Sequence, residues 1–431
     1  MAYVSRSLVR GSRSALRSGG GFPCQAPMTY PVPTFPATMH DEEAPVTSDP
    51  LNLPEPPPFP VADHRFDQKN EMFKRSVWDE RFKPDAERFY RDIVYQDKPG
   101  FRRLDYSFRN ATWNLEWSAA CGNSRSNHGL YSWDFVNPKM LPYLEAGPPV
   151  EDTPEGMSAV VKKVARFVGA DLVGICALHP NWVYSHEFDL LEREHRKLEV
   201  PEGIDNAIVI AVAMDYESMR SAPSGVGGAS TGLGYSKMAF AANLLATFIR
   251  GLGYRALPCG NDTALSVPLA MAAGLGEWSR MGLMVTPEYG PRVRLCKVLT
   301  DLPLAHDSYR PFGVVEFCES CEKCAEKCPS RAIPAGGMTT EGPNICNQSG
   351  PRKWYVNAEK CFGYWAKNRM DCATCIRVCP FNKEPGAIHD VARGLIRRRS
   401  SPLNRALVRI DDALGYGTQR PARDFWADAG R

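Results

Sequence analysis

Residues 318–329 read Cys-Glu-Ser-Cys-Glu-Lys-Cys-Ala-Glu-Lys-Cys-Pro, which sets Cys318, Cys321, Cys324 and Cys328 at intervening gaps of two, two and three residues and closes on Pro329. This is the spacing of bacterial ferredoxins, in which three close thiolates hold one face of an iron–sulfur cubane and the fourth reaches the other cluster. A second run follows. Cys361 stands alone, then Cys372, Cys375 and Cys379 repeat the gaps of two and three and close on Pro380. By the crossing rule, Cys318, Cys321, Cys324 and Cys379 hold one 4Fe-4S cluster, while Cys328, Cys361, Cys372 and Cys375 hold the second. Soft thiolates at such spacing also suit zinc, but two zinc sites need neither the paired Cys-Pro closures nor a crossed fourth ligand.

The remaining cysteines agree with a metal reading. Nine of the 14 lie between Cys318 and Cys379, and Cys24, Cys121, Cys176, Cys259 and Cys296 are scattered. One dense patch inside a long chain is not the pattern of a small disulfide framework. Cys296 and Cys346 read as small buried hydrophobes, with Cys346 kept as the alternative to Cys361 as a ligand.

The chain has 431 residues, 43% apolar, and 52 basic against 49 acidic side chains for a net charge of +3. Such a balance gives no reason to expect nucleic acid or an anionic membrane as the main partner. No apolar run approaches the roughly 18 residues of a membrane helix. Residues 1–60 read as a disordered leader rich in Pro, Arg and Ser, with no acidic residue in the first forty, because such a composition buries too little apolar surface to offset ordering entropy. It lacks the apolar centre of an export signal, and the nearest Arg-Arg pairs, at Arg102-Arg103 and Arg397–Arg399, stand far inside the chain. Residues 61–150 carry Trp78, Trp113, Trp117 and Trp133 without clear periodicity and read as an irregular wrapping segment with short helices.

From residue 154 the pattern becomes α/β. Val160, Val161, Val164, Phe167 and Val168 recur at helical spacing, and Leu172–Leu178 and Ala207–Met214 are apolar runs of strand length. Met238, Ala241, Leu245, Phe248 and Leu252 form one helical stripe, closed by Gly251 and Gly253. Along 292–299, Val293, Leu295 and Lys297 alternate with Arg292, Arg294 and Cys296, as in a strand. Helices alternating with buried strands predict a layered α/β (α+β) core over 151–312, a ferredoxin-like two-cluster domain over 313–384 and a surface segment over 385–431. Two clusters make an electron wire, which needs a redox site at its far end. No Gly-x-Gly-x-x-Gly follows the strand at 207–214, so a nicotinamide fold is poorly supported. No His-Glu-x-x-His occurs, and His186 and His195 read as surface residues.

Seven further stretches carry a family resemblance. Gly260-Asn261-Asp262, Ala273-Gly274-Leu275-Gly276-Glu277, Thr286-Pro287-Glu288-Tyr289-Gly290-Pro291-Arg292-Val293-Arg294, Glu341-Gly342-Pro343, Lys353-Trp354-Tyr355, Cys361-Phe362-Gly363-Tyr364-Trp365 and Cys379-Pro380-Phe381-Asn382-Lys383 occur in this order. Together they resemble the catalytic subunits of respiratory reductive dehalogenases, clearly from about residue 150 and more weakly over 60–150. The resemblance implies a nitroreductase-like core holding a base-off corrinoid (a cobalamin-type cobalt cofactor) reduced through two 4Fe-4S clusters. It implies an organohalide substrate, with Tyr235 as proton donor at the start of a helix after a glycine-rich loop. Asn261 and Arg294 match the donor's pocket partners, and Thr231 and Trp365 match pocket-lining positions. A guanidinium beside the phenol would stabilise the phenolate and lower the phenol's ordinary pKa of about 10.

The absence of Asp-x-His-x-x-Gly fits a corrinoid with an open lower face. The resemblance also implies a separate electron donor and a small membrane anchor protein outside the cytoplasmic membrane, and leaves a homodimer open. Without an export leader, either the true start differs or the enzyme stays inside the cell. Two alternatives stand beside this reading. One is an epoxyqueuosine reductase, a corrinoid enzyme acting on a tRNA base, for which a basic surface and a catalytic Asp would be expected. The other is a non-catalytic electron-transfer protein with no open pocket.

Overall fold

The strand β4 (Asn206–Ala213) lies inside a four-stranded sheet of order β1-β4-β8-β5, with β1 at Leu172–Ala177, β5 at Ala256–Cys259 and β8 at Val293–Thr300. The computed structural model describes residues 57–427 apart from 92–93, 121–128, 135–136, 138, 145–146 and 191–192. Most of the expected leader, with Cys24 and Cys121, lies outside the described residues. Every pair in the sheet is antiparallel, with Asn206 opposite Thr300 and Ala211 opposite Leu172. Both faces are covered, so β4 reads as a continuous apolar run rather than an alternating one. Ile208, Ile210 and Val212 pack with Cys296 and Val298 on one face; Ala207, Val209 and Ala211 pack with Leu257 and Leu299 on the other. Each fully buried Val or Ile contributes roughly 1.5–3 kcal/mol, which fixes the sheet's register.

The first face is roofed by two helices. Pro154–Phe167 is capped by Thr153, whose Oγ1 accepts the Gly156 N–H at 3.1 Å, and it buries Met157, Val161 and Ala165. Phe167 and Val160, expected on that stripe, are 90% and 39% exposed; seven residues apart, they share one face of the helix that turns to solvent while Met157, Val161 and Ala165 turn to the sheet. The second is the long helix Gly225–Gly251, capped by Ser224. Of its expected stripe, Met238, Ala241 and Leu245 are buried, Phe248 and Leu252 are half-buried against the core, and Gly253 leaves it at φ +92°.

Here the sequence expectation fails at one end. The glycine-rich stretch is not a loop before the helix but its first turns, and Tyr235 lies well inside the helix. Glycine weakens a helix by about 1 kcal/mol per residue, yet these glycines are all buried. They let the helix Arg103–Leu115 approach closely: a Cβ on Gly232 would lie 2.2 Å from Trp113 Cδ1, and one on Gly225 2.8 Å from the Asp105 carbonyl oxygen. Close packing of two helices outweighs propensity.

Four smaller strands complete the described set: β2 (His186–Phe188) pairs with β3 (His195–Lys197), and β6 (Glu277–Trp278) with β7 (Met284–Val285). The cysteine-bearing region is helical and short-looped, with helices Val314–Ser320, Lys323–Glu326, Ala358–Asn368 and Thr374–Val378. The C-terminal segment was expected to lie on the surface, but its anchors are internal. Asp411 is buried and pairs with Lys323 at 2.5 Å and Lys383 at 2.7 Å, and Trp426 Nε1 donates to buried Asp105 at 2.8 Å. Among the described residues no helix is long and apolar enough to cross a membrane.

Candidate active site

A cavity of about 1010 Å³ opens between the sheet core, the wrapping segment and the cysteine region. Tyr235, Asn261, Arg294, Thr231 and Trp365 all line it, although they come from a helix, a loop, a strand, the same helix and a distant helix. Asn261 Nδ2 donates to the Tyr235 hydroxyl at 2.8 Å. The Arg294 guanidinium stands 5.1 Å from the Tyr235 ring centre, and its Nη2 donates to Thr231 Oγ1 at 3.4 Å. On the far side the phenol stacks on Trp113, with centroids 4.8 Å apart and planes 22° apart.

Burial pushes the Tyr235 phenol above its ordinary value; Arg294 and the Asn261 hydrogen bond pull it down, and Glu116 pushes it further up. The net shift is upward. That reverses the expected lowering, because loss of hydration outweighs the one guanidinium. The phenol therefore keeps its proton at any ordinary pH.

Three residues that set this geometry were not singled out from the sequence. Trp113 belongs to the segment without periodicity. Lys297 is wholly buried, and its ammonium donates to the carbonyls of Gly260 at 2.6 Å and Ala264 at 2.7 Å and to Ser266 Oγ at 3.2 Å. It holds the loop that presents Asn261. The strand alternation placed Lys297 on the apolar face; an Lys there, among Val and Leu, was the signal. Glu116 lines the cavity with Oε2 buried and unpaired, and burial, then the charge of Asp262, raises it to about 8.

The eight cysteines of the two runs are all free thiols, six buried and two half-buried. Their mutual charge effects follow the two expected groups except at one point. Cys379 feels Cys318 and Cys321, and Cys361 and Cys375 feel Cys328 and Cys372, while Cys324 feels Cys318, Cys379 and Cys321 and also Cys375 of the other set. Burial raises most of them, to about 12 at Cys318 and Cys361. Cys328 is the exception: burial raises it, but hydrogen bonds from Ser330 Oγ and the N–H groups of Ile333, Ala332 and Ser330 leave it below the ordinary thiol value.

No three of these sulfurs lie within 4.8 Å of one another. Tetrahedral zinc with ~2.3 Å bonds would hold its sulfurs ~3.8 Å apart, so the sets are too open for a single ion. Cys346 is half-buried, accepts from Arg75 Nη1 at 3.4 Å and lines the cavity rather than either set.

Arg280 was also missed. It is 1% exposed and donates to the carbonyls of Cys318 at 2.8 Å, Cys321 at 3.2 Å, Pro334 at 3.0 Å and Gly336 at 2.7 Å. Glu277, on the neighbouring strand, accepts the N–H groups of Phe312, Gly313 and Val314 that open the Cys318 helix.

Residues 317–382 match the family described as a 4Fe-4S double cluster binding domain. Over 350 residues the chain is 41% identical to the tetrachloroethene reductive dehalogenase of Sulfurospirillum multivorans, covering 75% of this chain and 68% of that protein. The chain belongs to the reductive dehalogenase family. A tetrachloroethene reductive dehalogenase of Dehalobacter restrictus is 36% identical over 353 residues, 69% of this chain and 63% of its own length. Among solved structures, the catabolic reductive dehalogenase NpRdhA superposes with a TM-score of 0.66 at 25% identity, over 85% of this chain and 48% of that one. The chain thus spans about two thirds of these sequence relatives and half of that solved chain. The mixed helix–strand core followed by a double-cluster domain is the architecture this family shares, as the sequence led us to expect.

Proposed function

We propose that the protein is an oxidoreductase that removes halogen from an organohalide, replacing it with hydrogen and releasing halide, at a corrinoid reduced through two 4Fe-4S clusters. The observation that carries this reading is the convergence of Tyr235, Asn261 and Arg294 on one open cavity. An electron carrier needs no such cavity, and ligand pockets typically occupy roughly 300–1,000 Å³.

The residues fit the corrinoid. Asp262, Glu116, Trp278 and Trp365 line the cavity, and each keeps a buried polar atom without a hydrogen-bond partner; such polar residues would meet the amide arms of the macrocycle. Among the described residues no histidine lines the cavity, which suits a cobalt without an imidazole ligand from the chain. When bound, the corrinoid supplies the strongly reducing cobalt at which the carbon–halogen bond is broken.

The chain's own part is the proton. Because the Tyr235 oxygen accepts from Asn261 Nδ2, its O–H is free to point at the carbon that loses the halogen. The raised phenol pKa guarantees a proton to give, and Arg294 stabilises the phenolate left behind. Trp113 fixes the ring plane and keeps water from its back. Cys318, Cys321, Cys324 and Cys379 would hold one cluster, and Cys328, Cys361, Cys372 and Cys375 the other, with Arg280 compensating charge near the first. Electrons arrive from a separate donor.

The test is protein made without oxygen and supplied with corrinoid, assayed with reduced viologen and tetrachloroethene, the substrate in the names of the relatives, then with other haloalkenes and haloaromatics. About eight iron and one cobalt per chain are expected. Tyr235→Phe should keep that content and lose roughly 10²–10⁴ of turnover. Eight iron without cobalt after reconstitution would overturn the reading.

A further inference from the structure

We propose that Asp67, His186 and His195 form a binding site for a divalent transition metal, zinc by preference, outside the cavity. His186 on β2 and His195 on β3 are nine residues apart, but the register sets His186 opposite Lys197 and Phe188 opposite His195. The two histidines are therefore diagonal neighbours on one face of the ribbon, and their rings stand 4.7 Å apart, tilted by 32°. Asp67 is brought to them by the backbone: it bridges His186 in parallel register, and the Ser185 N–H donates to the Phe66 carbonyl at 2.9 Å. Its two carboxylate oxygens both lie 3.0 Å from His195 Nε2. One donor atom from each of the three residues falls within 4.8 Å of the other two, the one such set among the described residues.

Two imidazoles and a carboxylate are a zinc-type donor set with positions left for water. At zinc bond lengths a tetrahedral N–Zn–O pair spans ~3.4 Å, so His195 and Asp67 need to part by only a few tenths of an ångström. Ser185 Oγ lies 3.1 Å from His186 Nδ1, which orients that ring through its other nitrogen, as outer hydrogen bonds do for metal-bound histidines. Without a metal, Lys69 Nζ, 3.8 Å from the Asp67 carboxylate, competes for it. The site's place gives it a consequence. Phe66 and Gln68 flank Asp67, Tyr184 precedes His186 by two residues, and all three line the cavity. A bound ion would clasp the start of the wrapping segment to the β2–β3 ribbon and stiffen that wall.

The experiment uses the full chain with its clusters in place, confirmed by iron count, dialysed against zinc buffered at micromolar free concentration, with bound zinc measured by mass spectrometry. One zinc per chain is expected, with hydrogen exchange of the 57–70 amides slowed several-fold by the metal. His195→Ala and Asp67→Asn should each weaken zinc binding at least about tenfold and abolish the slowing. Lys197→Ala, on the same ribbon, should change neither. No zinc uptake by the parent, or uptake unchanged in His195→Ala, would overturn the site. Neither outcome depends on cobalt content or turnover, so the result is independent of the proposed reaction.

Discussion

Replacing Gly232 by alanine adds one methyl group at the point where the long helix meets Trp113. Its carbon would lie 2.2 Å from Trp113 Cδ1 and 2.6 Å from Cγ and Nε1. Ordinary contact begins near 3.4 Å, so the indole must move by more than 1 Å. It has little freedom to do so. It is stacked between Trp117, at 5.6 Å, and Tyr235, at 4.8 Å, and its N–H donates to the Gly228 carbonyl at 3.3 Å. Overpacking of this kind costs about 1–3 kcal/mol, and alanine returns about 1 kcal/mol as a better helix former. The net loss of stability is therefore about 0–2 kcal/mol, and the variant should fold.

Turnover should suffer far more, because the displaced indole takes the phenol with it and breaks the 2.8 Å contact to Asn261. A misplacement of about 1 Å at a reacting group can cost on the order of 100-fold. Dehalogenation with reduced viologen, alongside thermal unfolding, separates the two effects. Gly251→Ala is the control: the same helix, with nothing within 4 Å of the new methyl, so stability should rise slightly and turnover stay put. A Gly232→Ala enzyme within threefold of the parent in kcat would show that the stack does not position Tyr235.

Lys297→Met should strand the carbonyls of Gly260 and Ala264, lower stability by about 3–5 kcal/mol and loosen the loop bearing Asn261, read as a drop in Tm and in kcat together. Cys361→Ser should bring iron from about eight toward about four per chain, while Cys346→Ser leaves it unchanged; the reverse result would make Cys346 the ligand. Glu116→Gln tests the cavity's buried acid through pH. Since burial raises this carboxyl from 4.5 to about 8, the folded chain retains a proton that the unfolded chain has lost between those values. Stability should accordingly fall as pH rises through that window, by at most ~1.4 kcal/mol per pH unit. The variant should match the parent near pH 5 and exceed it in Tm near pH 8.5; equal slopes would refute the shift.

What the sequence disclosed follows the range of the forces involved. Cysteine spacing is local chemistry, so the two thiol runs could be found without a fold. The buried strands at 172 and 207 and the stripe from Met238 to Leu252 are periodic, and periodicity is visible in one dimension. The start of the long helix was hidden because glycine reads as a loop former until the closely packed helix Arg103–Leu115 explains it. Phe167 and Val160 were misplaced because a run of valines at helical spacing covers more than one face, and the face they share turns to solvent. The buried charges were hidden for a related reason. Lys297 and Arg280 are satisfied by backbone carbonyls far along the chain, at Gly260 and at Cys318 and Gly336, and a carbonyl leaves no trace in a sequence. The His186–His195 pair depended on a register that no motif announces.

The least periodic part of the sequence holds the working parts in relation to one another. The helix Arg103–Leu115 carries Trp113 against Tyr235 at one side. One turn earlier it carries Arg109, whose Nε donates to Asp371 at 3.4 Å. Asp371 is the residue before Cys372, and its carboxylate packs so near the long helix that a methyl on Gly228 would lie 2.9 Å from it. Both members of the Arg109–Asp371 pair are largely shielded from water, at 14% and 7% exposure, where losing either partner costs about 3–5 kcal/mol. The same guanidinium sits 5.9 Å from Trp113 and 5.7 Å from Trp117. A single buried seam thus runs from beside a thiol of the second set, through one arginine, to the indole that orients the phenol. The cavity is walled jointly by the sheet core, the wrapping segment and the cysteine region, and Arg280 separately ties the core to the carbonyls of Cys318 and Cys321. Under the proposed reaction, this seam and the Arg280 contacts together hold the phenol and the two thiol sets in register, so loosening Arg109–Asp371 should disturb that register without removing either the cavity or the cysteines.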